Sequence, residues 1–266
     1  MKKEDLRIVF LGTPEFAVES LKRIHTEGYN IVGVVTAPDK PAGRGHKLLQ
    51  SHLMQPEKLR APEFIDELKS LNANLFVVIA FRMLPEVVWT MPELGTFNLH
   101  ASLLPRYRGA APINWAVING DAETGVTTFM LKHEIDTGDV LRQERIAIGP
   151  DENVGSVYDR LMMLGADLTI DTIEHILAED LKPIPQSELM QDVQPSPAPK
   201  IFKDTCRIDW NVPAEKIRNL IRRLSPYPCA WTELQLQDGH APVNMKVKEA
   251  RTTTEPSAGA PGEDDI

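Results

Sequence analysis

Cysteine is scarce in this chain: Cys206 and Cys229 are the only two. Two cysteines build no disulfide framework, and neither sits in a Cys-x-x-Cys pair of the kind that binds zinc or runs redox chemistry. That usage fits a reducing compartment, so a cytoplasmic protein is expected. Long apolar runs are missing too. The longest, LFVVIAF at Leu75–Phe81, falls far short of the ~20 residues a bilayer-spanning helix needs. The lysine-led start, MKKEDLRIVFLG, has some look of a secretion signal. However, Glu4 and Asp5 interrupt it, and the run stops at Gly12-Thr13-Pro14, too short for a signal's apolar core. Neither export nor a membrane partner is expected. Positive charge is also short, with 29 Lys and Arg against 38 Asp and Glu and a net charge of −9. This excludes a general polyanion binder, which needs a broad basic face. Four catalytic signatures are absent: G-x-G-x-x-G, the P-loop lysine, H-E-x-x-H and the G-x-S-x-G elbow. Their absence removes dinucleotide, nucleoside triphosphate, zinc-peptidase and serine-hydrolase readings in turn. His100 and His133 have no companions at ligand spacing, so no metal is expected.

What is present suffices for one large domain and a smaller one: 266 residues, 42% of them hydrophobic. RIVFLG (Arg7–Gly12), IVGVVT (Ile31–Thr36), LFVVIA (Leu75–Ala80) and TFNL (Thr96–Leu99) read as buried strands. A helical pattern over Glu15–Thr26 separates the first two. Strands that alternate with helices give a doubly wound, mostly parallel, Rossmann-like sheet. Val126–Leu131 and Val140–Ile148 are expected to extend it. Val154, Val157, Leu161, Leu164 and Leu168 step by three and four, the mark of one long amphipathic helix to about Glu179. LKPIPQSELMQDVQPSPAPK follows, five prolines in a polar stretch, and is read as a linker. The division expected is 1–180 for a first domain, 181–203 for the linker and 204–266 for a second domain. That second domain has a helix at Pro213–Leu224, strand-like AWTELQLQ and VNMKVKEA, and a loop-like end that leaves it incomplete. From Lys200 to Arg251 there are ten Lys and Arg against six Asp and Glu. A local basic excess on an acidic chain points to a selected partner over non-specific adhesion.

Four segments carry candidate chemistry. GTPEF (Gly12–Phe16) occupies a strand-to-helix turn, where backbone N–H groups can hold an anion; a plain turn with proline at the helix start is the other reading. PDKPAGRGHK (Pro38–Lys47) is either a solvated loop or a basic finger for phosphates, with Arg44 flanked by glycines. In FNLHASLLPRYRGAAP (Phe97–Pro112), Asn98 and His100 lie two apart at a strand end. Their side chains therefore point to one side, at the carboxyl edge where open α/β sheets bind ligands. An amide beside an imidazole suits acyl transfer, the amide for a developing oxyanion and the imidazole for a proton. A buried histidine satisfying a loop carbonyl is the plainer alternative. In HEIDTGDVL (His133–Leu141), Asp136 either bonds its own turn backbone or approaches His100, raising the pKa of the imidazole and fixing its tautomer.

N-x-H-x-S-x-L-P, then R-G-A-A-P, with D-T-G-D downstream, resembles the folate-dependent formyltransferase family. The likeness runs through GTPEF, PDKPAGRG, NLHASLLP, RGAAPINWAVINGDAETGVT and the late RIDW (Arg207–Trp210), nearly the whole chain. PAGRG and the second domain match the branch that acts on methionyl initiator tRNA. The resemblance implies that Asn98, His100 and Asp136 are catalytic. It implies a folate-contacting loop of Ser102, Leu103, Leu104 and Pro105, and a pterin-holding backbone wall at Phe81, Arg82, Met83 and Leu84. Lys40, Arg44 and Lys47 would reach the tRNA acceptor stem, and the second domain would be a small, OB-like β-barrel gripping that tRNA. The co-substrate implied is 10-formyltetrahydrofolate, with no metal, and a monomer is expected. The rival readings are a formyltransferase for a glycinamide nucleotide or amino sugar, a formyl-folate hydrolase, and a non-enzymatic RNA-binding module.

Overall fold

A computed structural model describes residues 1–38, 52–190, 193–235 and 241–253. In chain order it contains β1 (Arg7–Gly12), α1 (Glu15–Thr26), β2 (Asn30–Val35), β3 (His52–Met54), α2 (Pro62–Ser70) and β4 (Leu75–Ile79). Next come α3 (Glu86–Trp89), β5 (Thr96–His100), β6 (Arg108–Gly109), α4 (Pro112–Asn119), β7 (Glu123–Met130) and β8 (Val140–Ala147). The remainder is α5 (Val154–Ala178), α6 (Gln186–Leu189), β9 (Pro197–Ala198), α7 (Ala214–Leu224), β10 (Ala230–Leu234) and β11 (Val243–Val247).

Seven strands form one sheet in the order β3-β2-β1-β4-β5-β7-β8. The first five pair in parallel, and β7 runs antiparallel to β5. Every residue of β4 is buried, as are all but the first of β1. Such unbroken apolar runs mark strands covered on both faces. Val9, Leu11, Phe76 and Val78 face one way into a core shared with Phe64, Ile65 and Leu68 of α2 and with Leu84 and Val88. Strand order reverses between β1 and β4, so the crevice for a ligand lies beyond their carboxyl ends. Gly12 lets the chain turn tightly there, because a Cβ on it would meet the Ala17 Cβ at 2.6 Å. Thr13 Oγ1 accepts the Ala37 N–H at 3.2 Å, tying the GTPEF turn to the end of β2.

The chain divides into two compact units. The first comprises Met1–Arg108, Gly125–Ile146 and Arg160–Pro197, and the second Gly109–Thr124, Ala147–Asp159 and Ala198–Ile266. In the second, α4 has proline in its first turn and ends at Gly120 in the left-handed conformation, the asymmetry expected of helix ends. Asn114 Nδ2 donates to the Arg223 carbonyl of α7 at 3.3 Å. Cys206, Ile208, Ile221, Leu224 and Ala230 make the core of this unit, and β10 and β11 pair antiparallel. Among its described residues the expected barrel extends as far as this ladder and a bridge between Arg207 and Trp231.

Each expected strand of the sheet is present within a few residues. Helices α2 and α4 add to the reading of the sequence. Helix α4 buries Ile113, Ala116 and Val117 in a segment apolar nearly all round, so no amphipathic stripe announces it. Among the described residues, no helix is long and apolar enough to cross a membrane.

Candidate active site

Strand β5 delivers two polar side chains to the carboxyl edge of the sheet. Its residues alternate between faces, so Asn98 and His100 share one. His100 is 6% exposed and packs edge-on against Phe129, with ring centroids 6.4 Å apart. Its Nε2 lies 2.8 Å from the Tyr107 carbonyl oxygen. A carbonyl only accepts, so Nε2 carries the hydrogen and donates it. Nδ1 is left facing Asp136 Oδ2 at 3.8 Å, within ion-pair reach but beyond a direct hydrogen bond. The tautomer is thus set by Tyr107, a residue to which the sequence assigned no role, while Asp136 contributes charge. Asn98 Oδ1 is buried with no hydrogen-bond partner. Buried polar atoms are nearly always paired, so an orphan on the His100 face marks a place where an incoming molecule completes the pairing.

The loop after β5 is tightly welded. Thr127 Oγ1 donates to the Ser102 carbonyl at 2.6 Å and accepts the Leu104 N–H at 3.2 Å. Gln143 Nε2 reaches both Thr127 Oγ1, at 2.9 Å, and the Leu104 carbonyl, at 2.8 Å. The Ser102 hydroxyl donates to the Arg106 carbonyl at 2.7 Å. Of the four loop residues expected to contact folate, Ser102, Leu104 and Pro105 are buried and Leu103 is half-buried. Leu104 packs with Phe129 and Val140. The Leu104–Pro105 peptide is cis.

Asp136 stands in the D-T-G-D turn with φ +54°, a left-handed conformation that aspartate tolerates better than most residues. The glycine two residues on is sterically required, since a Cβ on Gly138 would collide with the Met130 carbonyl oxygen. Asp139 pairs with Lys132 at 2.7 Å.

In the stretch after β4, Phe81 is half-buried and Leu84 is core, whereas Met83 is 73% exposed. Arg82 is exposed and anchors to the carbonyls of Glu57, at 2.8 Å, and Pro56. Glu86 Oε2 lies 3.5 Å from His133 Nδ1, bringing this stretch beside the turn that carries Asp136. Ile135 on that turn and Val87 are exposed apolar side chains as well. Lys40, Arg44 and Lys47 lie outside the described residues. No group of three or more His, Cys, Asp or Glu able to hold a metal occurs among the described residues.

Sequence reasoning assigned no role to Gln186. It lies in the proline-rich stretch read as a linker, yet it is 3% exposed and donates to the carbonyls of Asp136 and Gly138. A polar residue between prolines gives no periodic signal of burial. Only Pro185, able to open a helical turn, marks the place.

The site so built has an orphaned amide, an imidazole with a fixed tautomer and a carboxylate beside it. It has the parts for proton-assisted transfer of a carbonyl-containing group. Comparison with known proteins agrees. The formyl transferase family model matches residues 6–173, and the model of its C-terminal domain matches 200–264. The chain is 58% identical to the methionyl-tRNA formyltransferase of Bacteroides fragilis over 98% of its own length and 84% of that protein's. It is 52% identical to the enzyme of that name from Porphyromonas gingivalis, covering 93% and 80% of the two chains. A sugar N-formyltransferase from a Shewanella species shares the fold with a TM-score of 0.69 at 16% identity, over 93% of this chain and 99% of that one. HypX from Aquifex aeolicus in complex with tetrahydrofolic acid gives a TM-score of 0.66 at 20% identity, over 86% and 36%. With its fold, its motif residues and both family models in agreement, the chain belongs to the formyl transferase family.

Proposed function

We propose that this protein transfers the formyl group of 10-formyltetrahydrofolate to the α-amine of methionyl initiator tRNA, preparing that tRNA for translation initiation. The observation that carries the reading is the 3.8 Å approach of the Asp136 carboxylate to His100 Nδ1. It occurs on the strand face that also holds the orphaned Asn98 amide oxygen. The relatives at 52–58% identity are named for this activity, which favours it over the small-amine, hydrolase and RNA-module readings.

In the proposed reaction, the free amine attacks the formyl carbon and the carbonyl electrons move onto the formyl oxygen. Asn98 serves both partners: its N–H donates to the developing oxyanion, and its unpaired Oδ1 accepts a hydrogen of the amine. His100 takes up the amine proton at Nδ1, because Nε2 is already committed to Tyr107. The imidazolium that forms is stabilised by the Asp136 carboxylate, and its proton goes to the departing folate nitrogen. The exposed apolar side chains of Met83, Val87 and Ile135 offer a surface suited to the ring system of a reduced folate. No acyl-enzyme is required.

The assignments of Ser102, Leu103, Leu104, Pro105 and the Phe81–Leu84 stretch to folate belong to this proposal. Those of Lys40, Arg44 and Lys47 to tRNA belong to it as well. So does the division into a catalytic domain (1–180), a linker (181–203) and a tRNA-gripping domain (204–266), working as a monomer in the cytoplasm. The test is incubation with formyl-labelled 10-formyltetrahydrofolate and charged initiator tRNA, with glycinamide nucleotide, an amino-sugar nucleotide and water as competing acceptors. Label on the methionyl nitrogen is the expected product. Label on a small amine, or free formate alone, overturns the reading. Replacing Asn98, His100 or Asp136 by alanine is expected to lower turnover by about 100- to 10,000-fold.

A further inference from the structure

Among the side chains that the mechanism leaves unused, Gln186 has an unusual set of bonds. It opens α6 and is buried to 3% exposure. Its Nε2 donates to the Asp136 carbonyl at 2.9 Å and to the Gly138 carbonyl at 2.8 Å. Its Oε1 accepts from Arg108 Nε at 3.2 Å and Nη2 at 2.6 Å. A primary amide has two N–H donors and two acceptor lone pairs, so its full capacity is spent.

The direction of these bonds is fixed by chemistry. A guanidinium only donates, so Arg108 must face the amide oxygen, and the N–H groups are thereby aimed at the D-T-G-D turn. The backbone behind Gln186 is anchored in turn, since Ile184 and Val140 exchange two hydrogen bonds of 2.8 Å each. The turn needs such a hold. Asp136 adopts φ +54°, a conformation that persists in a non-glycine residue only where its surroundings impose it. Pinning the Asp136 and Gly138 carbonyls restricts rotation of the 136–137 and 138–139 peptides, which sets where the Asp136 carboxylate points.

We propose that Gln186 is a positioning residue for formyl transfer. Its amide, oriented by Arg108, holds the Asp136–Gly138 turn so that the carboxylate stays beside His100. The inference rests on the reading that Asp136 serves the transfer. It makes the stretch between the sheet and the second family-model match a working part of the active site.

The test combines kinetics with a readout independent of turnover. Gln186→Glu keeps the size and the acceptor for Arg108 but removes the donors to the turn, and Gln186→Leu removes both. Each variant is compared with Asp136→Asn and with the double variant Gln186→Leu/Asp136→Asn, after thermal unfolding has established that all are folded. Both single Gln186 variants are expected to lose about 10- to 100-fold in kcat, with the KM for 10-formyltetrahydrofolate within about twofold. In the double variant Gln186→Leu is expected to add less than about threefold to the loss caused by Asp136→Asn, because residues acting as a unit are not additive. The imidazole 15N shifts of His100, read at one pH without substrate, are expected to move in Gln186→Leu in the direction seen in Asp136→Asn. Full additivity with unmoved His100 shifts would make Gln186 a stability residue only and overturn the inference. Wild-type protein that leaves initiator tRNA unformylated, with the His100 shifts still responding to Gln186, would overturn the activity reading and leave the positioning intact. Should both Gln186 variants fail to fold, Arg108→Met supplies the test: it frees the amide to flip, and unchanged kcat and His100 shifts overturn the inference.

Discussion

Asn98 illustrates the conflict between stability and function within a single side chain. Its Oδ1 is buried with no partner, and an unsatisfied buried acceptor costs about 1–3 kcal/mol. Asn98→Leu, close in size and without the polar atoms, is expected to hold or raise the melting temperature while lowering turnover by about 100-fold or more. Calorimetry without ligand and a formylation assay on the same preparation check both halves. A fall of several degrees with activity kept would make Asn98 a packing residue. His100 shows the complementary point. A carboxylate two loops away can be anticipated from motif residues, but the partner that fixes the imidazole is the backbone carbonyl of Tyr107. Every residue has a carbonyl, so a sequence cannot say which one will be used.

At the scale of the element, the D-T-G-D turn is shaped by what lies behind it. A Cβ at Gly138 would strike the Met130 carbonyl and approach the Phe129 ring at 3.0 Å. Gly138→Ala must therefore move the backbone near Asp136, and the expected loss is about 10- to 100-fold in kcat. Gly28→Ala is the control. Its φ is positive, +75°, and nothing lies within 4 Å of a Cβ there, so it carries backbone strain without a clash. It is expected to cost about 1 kcal/mol of stability from backbone strain with turnover unchanged. Equal kinetic effects in the two variants would sink the claim that close packing at Gly138 places Asp136. The loop after β5 follows the same logic. Thr127 and Gln143 close a hydrogen-bond net over Ser102 and Leu104, so the N-x-H-x-S-x-L-P motif is as much a packing pattern as a catalytic one. Helix α4 went unread in the sequence for a related reason, since a segment apolar nearly all round has no polar face to give it a period.

For the whole molecule, charge is the property that the sequence states directly. The net charge is −9, yet residues 200–251 carry ten Lys and Arg against six Asp and Glu. A partner bound through phosphates releases counterions, so its affinity falls with salt, whereas binding of a small folate depends mainly on local contacts. The KM for initiator tRNA is expected to rise about tenfold between roughly 50 and 200 mM KCl, and that for 10-formyltetrahydrofolate to change less than about twofold. Matching salt dependence for the two substrates would count against a basic tRNA surface in this region.

The sequence alone determined the alternation of strands and helices, the shared face of Asn98 and His100 and the chemical types at the site. These follow from periodicity and composition, which are local. Tertiary structure decided the strand order, the 3.8 Å approach of Asp136 to His100, the tautomer and the hold of Gln186 on the catalytic turn. All but the tautomer join residues far apart in the chain, and the tautomer depends on which carbonyl the folded loop presents to the ring; both are fixed only when the whole core closes around them.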